Sequence, residues 1–62
     1  GRAEGLAQGL LVLLEARGFT VPQSLRQRIM ATDELDLLDT WYRRAAHATQ
    51  LDGIFSDPAV SD

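Results

Sequence analysis

The sequence predicts an all-α fold, a small three-helix bundle followed by a short C-terminal helical turn. Apolar residues recur every three or four positions in three separate segments, as they do on one face of a helix. They nowhere alternate with a period of two over a useful length. Gly18, Pro22 and Thr32 stand between the segments, and their residue types are typical of helix ends and starts. We therefore expect helices over about 2–17, 22–31 and 33–47, and a turn over 50–55.

The chain has 62 residues, six arginines, no lysine, nine acidic residues and no cysteine, with a net charge of −3. This length fits one small domain, without disulfide bonds or thiolate zinc sites. The acidic balance disfavours nucleic-acid binding by the segment alone. Because burial and chain entropy nearly cancel at this size, we expect self-association to reinforce the fold. No apolar stretch has the length of a transmembrane helix, and the absence of cysteine fits a cytoplasmic protein.

The first segment, 1–17, carries more apolar surface than a helix packed on one side needs. At about 100° per residue its leucines gather on one face, and a stripe of small residues lies beside them. We therefore expect one side of this helix to be covered by its own domain and another by a second chain. Leu11 interrupts the polar strip and is expected to lie outside that contact. The predicted interface residues are Gly5, Leu6, Gly9, Leu10, Leu13, Leu14 and Trp41.

Two of these predictions have open alternatives. Gly5 and Gly9 form a GxxxG pattern, which allows close approach of a partner helix. The same pattern is also compatible with a flexible glycine-rich linker whose spacing is incidental. Trp41 lies near the edge of the apolar face of the third helix, so it is either a core residue or a hot spot of the interface.

Local signals bound the second and third helices. Gly18 suits the left-handed residue that follows a helix, and Pro22 suits the first position of the next one. Thr32 is expected to cap the third helix, with Asp33 and Glu34 in its first turn. We divide the chain into a glycine-rich oligomerisation helix (1–17), a compact helical module (18–55) and a disordered tail (56–62). The predicted core of the module is Leu25, Ile29, Leu35, Leu38, Trp41, Tyr42, Leu51, Ile54 and Phe55.

The sequence predicts no enzyme activity, no metal site and no cofactor. His47, the only histidine, lies on a polar helix face with no nucleophile or orienting partner at a matched position. Asp36 and Asp39 lie on the same solvated face, without the cleft that paired catalytic carboxylates need. The alternative function is nucleic-acid contact through the arginines of the second and third helices, which are Arg26, Arg28, Arg43 and Arg44.

Five segments together resemble the C-terminal region of bacterial recombination-promoting nucleases, also described as putative transposases, of the actinobacterial type. They are 1–9 (GRAEGLAQG), 21–29 (VPQSLRQRI), 32–36 (TDELD), 41–45 (WYRRA) and 48–55 (ATQLDGIF). In that family a PD-(D/E)XK nuclease domain precedes the helical region and holds the catalytic acids and lysine. This chain has no lysine and no matching strand motif, so no catalytic residue carries over.

The resemblance implies a function in assembly. Some members of the family produce their C-terminal part as a separate small protein, which associates with itself and with the full-length nuclease and restrains it. Together with the apolar surplus of the first helix, this predicts a non-catalytic oligomerisation module. Its expected partners are a second copy, most simply in a dimer, and a full-length nuclease subunit, with no membrane contact.

Overall fold

The computed structural model describes residues 1–56 and confirms the all-α prediction. Four helices follow in chain order: α1 (Arg2–Ala16), α2 (Gln23–Ala31), α3 (Leu35–Ala45) and α4 (Asp52–Phe55). Helix α1 packs against α2 and α3, and α4 packs against α3. Among the described residues, no helix has both the length and the apolar content needed to cross a bilayer. Except for Ser56, the predicted tail lies outside the described residues.

A single hydrophobic core joins all four helices. Helix α1 supplies four of its nine buried residues, and Leu10 and Leu14 of this helix are 0% exposed. Residues 1–17 are therefore an integral part of the same core as residues 18–55, which corrects the division into a separate helix and a module. The remaining helices contribute the other buried residues, Ile29, Leu38, Trp41, Ala45 and Ile54.

The end of α1 follows the local prediction. Gly18 has a φ of +91°, a conformation that glycine adopts without the steric cost of a Cβ atom. The amide of Gly18 donates to the Glu15 carbonyl at 2.9 Å, and the amide of Phe19 donates to the Leu14 carbonyl at 3.0 Å. These two hydrogen bonds form a Schellman motif, which satisfies carbonyls that the helix end would otherwise leave unpaired. The side chain of Phe19 packs back on the core and closes the turn.

The connection between α2 and α3 differs from the prediction. The Thr32 hydroxyl donates to the Arg28 carbonyl at 2.8 Å, so it closes the last turn of α2 and does not cap α3. Helix α3 begins two residues later than predicted, after an extended Glu34. A threonine hydroxyl can satisfy a preceding carbonyl or a following amide, and here it bonds to the carbonyl. At the other end, α3 stops at Ala45, and residues 46–47 form a turn in which the His47 amide donates to the Arg44 carbonyl at 3.1 Å.

The burial of two leucines differs from the prediction. Leu35, predicted as core, is 39% exposed because it occupies the first position of α3, at the edge of the bundle. Leu11, predicted to lie outside the packed face, is only 6% exposed. Since α1 contacts both α2 and α3, its buried face is wider than a single seam and includes Leu11.

Candidate functional site

Three of the predicted interface residues lie inside the protein's own core. Leu10 and Leu14 are 0% exposed, and Trp41 is 2% exposed. The Trp41 ring contacts the Phe55 ring edge-on, with centroids 5.1 Å apart. These side chains are covered by their own chain, so the prediction that they contact a partner is corrected. Of the two interpretations of Trp41, the structure supports the core residue.

Gly9 makes a close contact within the chain. The hydroxyl of Tyr42, from α3, lies against Gly9 and donates to the carbonyl oxygen of Leu6 at 2.5 Å. A Cβ atom at position 9 would overlap that hydroxyl oxygen. Burial raises the pKa of the Tyr42 hydroxyl, which favours the protonated form that donates this hydrogen bond. Gly9 thus permits close approach of α3 of the same chain rather than of a partner helix.

We expect Gly5→Ala and Gly9→Ala to have opposite effects on the free energy of unfolding. A Cβ at position 5 meets nothing within 4 Å, so helix propensity alone should stabilise Gly5→Ala by about 1 kcal/mol. Gly9→Ala gains the same propensity but displaces the Tyr42 hydroxyl, and we expect a net loss of about 1–2 kcal/mol. Urea denaturation of the two variants measures both changes.

A double-mutant cycle with Tyr42→Phe isolates the cause. Without the hydroxyl, the nearest ring atom lies 3.7 Å from a Cβ at position 9, an ordinary van der Waals contact. Gly9→Ala should therefore become stabilising, by up to ~1 kcal/mol, in the Tyr42→Phe background. If Gly9→Ala destabilises both backgrounds equally, the Tyr42 hydroxyl is not what requires glycine at this position.

One side of α1 is exposed to solvent. Gly5, Val12 and Ala16 lie on one side of the helix and are exposed, with 65% of Val12 accessible to solvent. Leu6 and Leu13, at the border of this face, are half-buried against the core. We call the exposed set Gly5, Val12 and Ala16 the outer face of α1. Its residues are small or apolar, and the exposed side chains of Gln8 and Glu15 flank Val12, about one helical turn away on either side.

The four arginines predicted as a nucleic-acid patch do not act as one group. Arg26 pairs with Glu15 across α1 and α2, with 2.7 Å between Nη2 and Oε2. The guanidinium of Arg28 lies over the Trp41 ring, 5.5 Å from its centroid. Each of these two side chains therefore stabilises a contact between helices. Only Arg43 and Arg44 line a common groove.

This groove lies where the last turn of α3 meets the start of α4, and its volume is about 590 Å³. Arg43 and Arg44 line one side, and His47, Thr49 and Gln50 line the loop side. Nε of Arg43 donates to Oδ2 of Asp39 at 2.8 Å, so the two side chains form an i,i+4 pair on α3. That hydrogen bond, assisted by the charge of Asp39, raises the pKa of the Arg43 guanidinium.

Two arginines hold the groove in place by donating to backbone carbonyls. Nη1 of Arg44 donates to the Ile54 carbonyl at 3.1 Å and thereby connects α3 to α4. Nη1 of Arg17 donates to the carbonyls of Ala45 at 2.7 Å and Ala48 at 2.5 Å. A guanidinium at this position satisfies orphan carbonyls at the end of α3 and complements its dipole.

Sequence reasoning missed Arg17, and no local signal could have found it. Its acceptors lie 28 and 31 residues further along the chain, so only the packing of α1 on α3 brings them together. The groove residues Thr49, Gln50 and Gly53 were missed for the same reason. Each is unremarkable in sequence and gains its place only when α4 folds back on α3.

The described residues contain no group of three or more histidine, cysteine, aspartate or glutamate side chains placed to hold a metal ion. Within residues 1–56, no polar or charged residue is fully buried. His47 is exposed at the rim of the groove, and Asp36 and Asp39 are exposed on α3. Comparison of the chain with protein-family models, with curated proteins and with solved structures finds no match.

Proposed function

We propose that this chain is a non-catalytic helical module for protein–protein assembly, and that it associates with a second copy of itself through the outer face of α1. The observation that carries the proposal is the exposure of Val12 between Gly5 and Ala16 on a helix whose opposite face is fully buried. The proposal keeps the predicted two-sided use of α1 but changes the residues. The partner meets the small-residue face, because the leucine face is occupied by the chain's own core.

Small residues on this face favour a helix as the occupant. Gly5 has nothing within 4 Å of a Cβ position, and Ala16 projects only a methyl group. A second helix can therefore approach the backbone of α1 closely and surround Val12. The same face on two copies would pair by a two-fold axis, the commonest symmetry of homodimers. One helix face is smaller than a standard interface, so we expect dimerisation to depend on protein concentration.

The resemblance to nuclease C-terminal regions supports a second partner for the same face. We propose that, when the module belongs to or meets a full-length nuclease, the outer face of α1 pairs with the equivalent helix of that protein. Pairing would then bring nuclease subunits together or hold one in a restrained state.

We expect Val12→Glu to make the protein monomeric without unfolding it. Val12 is 65% exposed, so the glutamate remains solvated in the monomer but would be desolvated in the dimer. Light scattering on a size-exclusion column, over a hundredfold range of concentration, should show a dimer for the wild-type chain and a monomer for the variant. Thermal unfolding followed by circular dichroism should change by no more than a few degrees.

Leu35→Glu is the matched control. Leu35 is the other exposed large apolar residue of the described chain, and it lies on α3 rather than α1. This variant should keep the wild-type mass at each concentration. A wild-type monomer throughout the concentration range would reject self-association, and an unchanged dimer in Val12→Glu would show that another surface is responsible.

A further inference from the structure

The groove between α3 and α4 has a lining that the assembly function does not use. Arg43, Arg44 and His47 are among the residues that line it. The Thr49 hydroxyl and the Gln50 amide add two neutral groups that can donate hydrogen bonds. No carboxylate lines this groove within the described chain. A concave surface with cations and donors and no lining acid is suited to an anion.

Each of the two arginines donates a hydrogen bond within the chain through one nitrogen and has other nitrogens available to a ligand. Arg43 engages Asp39 through Nε, and its Nη groups have no hydrogen-bond partner among residues 1–56. Arg44 engages the Ile54 carbonyl through Nη1, which leaves Nε and Nη2 for a ligand. Because each side chain is anchored at one nitrogen, less rotamer entropy is lost when the remaining nitrogens bind an oxyanion.

The floor of the groove is kept open by two small residues, Ala48 and Gly53. Gly53 does not have a positive φ, so its backbone does not require glycine. In a helix, glycine is less favourable than alanine. A Cβ at position 53 would lie 3.6 Å from the Cβ of Ala48, and larger side chains would extend into the groove. Local backbone structure therefore does not explain why residue 53 is glycine, whereas a need to leave space for a ligand does.

From this arrangement we propose that the groove is a binding site for a phosphomonoester group. A phosphomonoester presents three terminal oxygens, which can accept hydrogen bonds from the remaining nitrogens of both guanidinium groups and from the additional donors. A carboxylate offers two oxygens and one charge, fewer than these donors can bind. A polynucleotide is disfavoured, since its many phosphates would extend beyond the groove over a chain with a net charge of −3, whereas a single phosphoryl group contacts only the lining residues.

The test is an NMR titration of the full 62-residue chain with O-phosphoserine, compared with serine at matched ionic strength. We expect saturable shifts of the Arg43 and Arg44 Nε–H signals and of the amides of Thr49, Gln50 and Gly53. Inorganic phosphate should shift the same signals, because the phosphoryl group is what the site recognises. Serine should shift none of them.

Two variants test the site by different mechanisms, and a third variant serves as a control. Arg44→Gln should weaken phosphoserine binding by roughly tenfold or more, because it removes a charged donor. Gly53→Leu keeps every cation but fills the floor, and it should abolish the shifts while circular dichroism stays helical. Arg2→Gln removes an equal charge from the exposed start of α1 and should leave binding unchanged.

Three outcomes would overturn the proposal. Shifts spread over all arginines without saturation would mean general charge screening. Equal affinity for acetate would mean a carboxylate site, and tighter binding of a single-stranded oligonucleotide would mean a nucleic-acid surface. The titration is independent of the assembly proposal, since Val12→Glu should bind phosphoserine as the wild-type chain does whether or not that chain dimerises.

Discussion

Leu10→Asp is expected to unfold the chain. Leu10 is 0% exposed and lies at the centre of the face of α1 that packs on the other helices. Truncating a buried leucine costs about 2–5 kcal/mol, and burying a carboxylate without a partner adds to that loss. A domain of this length has a free energy of unfolding of about 3–9 kcal/mol. The two losses together are comparable with the whole stability, so far-UV circular dichroism should show little residual helix at 25 °C.

Val12→Asp is the matched control, because it places the same charge two residues away on the opposite side of the same helix. Val12 is 65% exposed, so this variant should keep its helical spectrum and a cooperative melt. Leu11→Asp, which the sequence alone predicts to be harmless, should behave like Leu10→Asp, since Leu11 is 6% exposed. If Leu10→Asp and Val12→Asp melt at the same temperature, α1 does not pack on the core through the face described above.

Trp41→Ala is expected to have the second largest effect, a loss of about 3–5 kcal/mol. Trp41 is the largest fully packed side chain, at 2% exposed, and it connects α3 to α4 through Phe55 and to α2 through Arg28. Removing the indole leaves a void that the short helix α4 cannot fill. The urea midpoint of unfolding should fall by about 1–5 M, given a slope of about 1–3 kcal/mol per M.

Two variants with smaller expected effects measure how much each contact of Trp41 contributes to the free energy of unfolding. Phe55→Leu removes the edge-on aromatic contact and should cost about 0.5–1.5 kcal/mol beyond the change in buried area. Arg28→Gln removes the guanidinium over the indole and should cost about 0.5–1 kcal/mol. A Trp41→Ala variant within 1 kcal/mol of the wild-type stability would contradict a core role and favour the alternative, in which Trp41 is an interface residue.

The predictions that the structure confirms depend on residues close together in sequence. The helical period of the leucines and the left-handed Gly18 each involve positions no more than a few residues apart. Their energetics are set by local backbone geometry and i,i+4 spacing, which a sequence displays directly. The existence of three main helices could therefore be predicted, with ends correct to within two residues.

The predictions that failed concern what covers a surface. A helical wheel places Leu10 and Leu14 on one face but does not say whether that face meets the same chain or another. Likewise, the GxxxG pattern allows close approach to Gly9 but does not identify the group that approaches. In the structure this group is the Tyr42 hydroxyl, 33 residues further along the chain. The candidate sites were predicted only in part. Arg43 and Arg44 were named, but the groove that they line was not, because it forms only when remote segments pack together.

The helical class and the main turns follow from the amino-acid sequence alone, as does a chain without lysine or cysteine side chains. Which face of α1 is core, why Gly9 carries no side chain, and which arginines share a groove depend on how the helices pack. The physical reason is distance along the chain. Hydrogen bonds within a helix turn are encoded locally, whereas the burial of Leu10 and the donation of Arg17 to Ala45 exist only after remote segments have packed together.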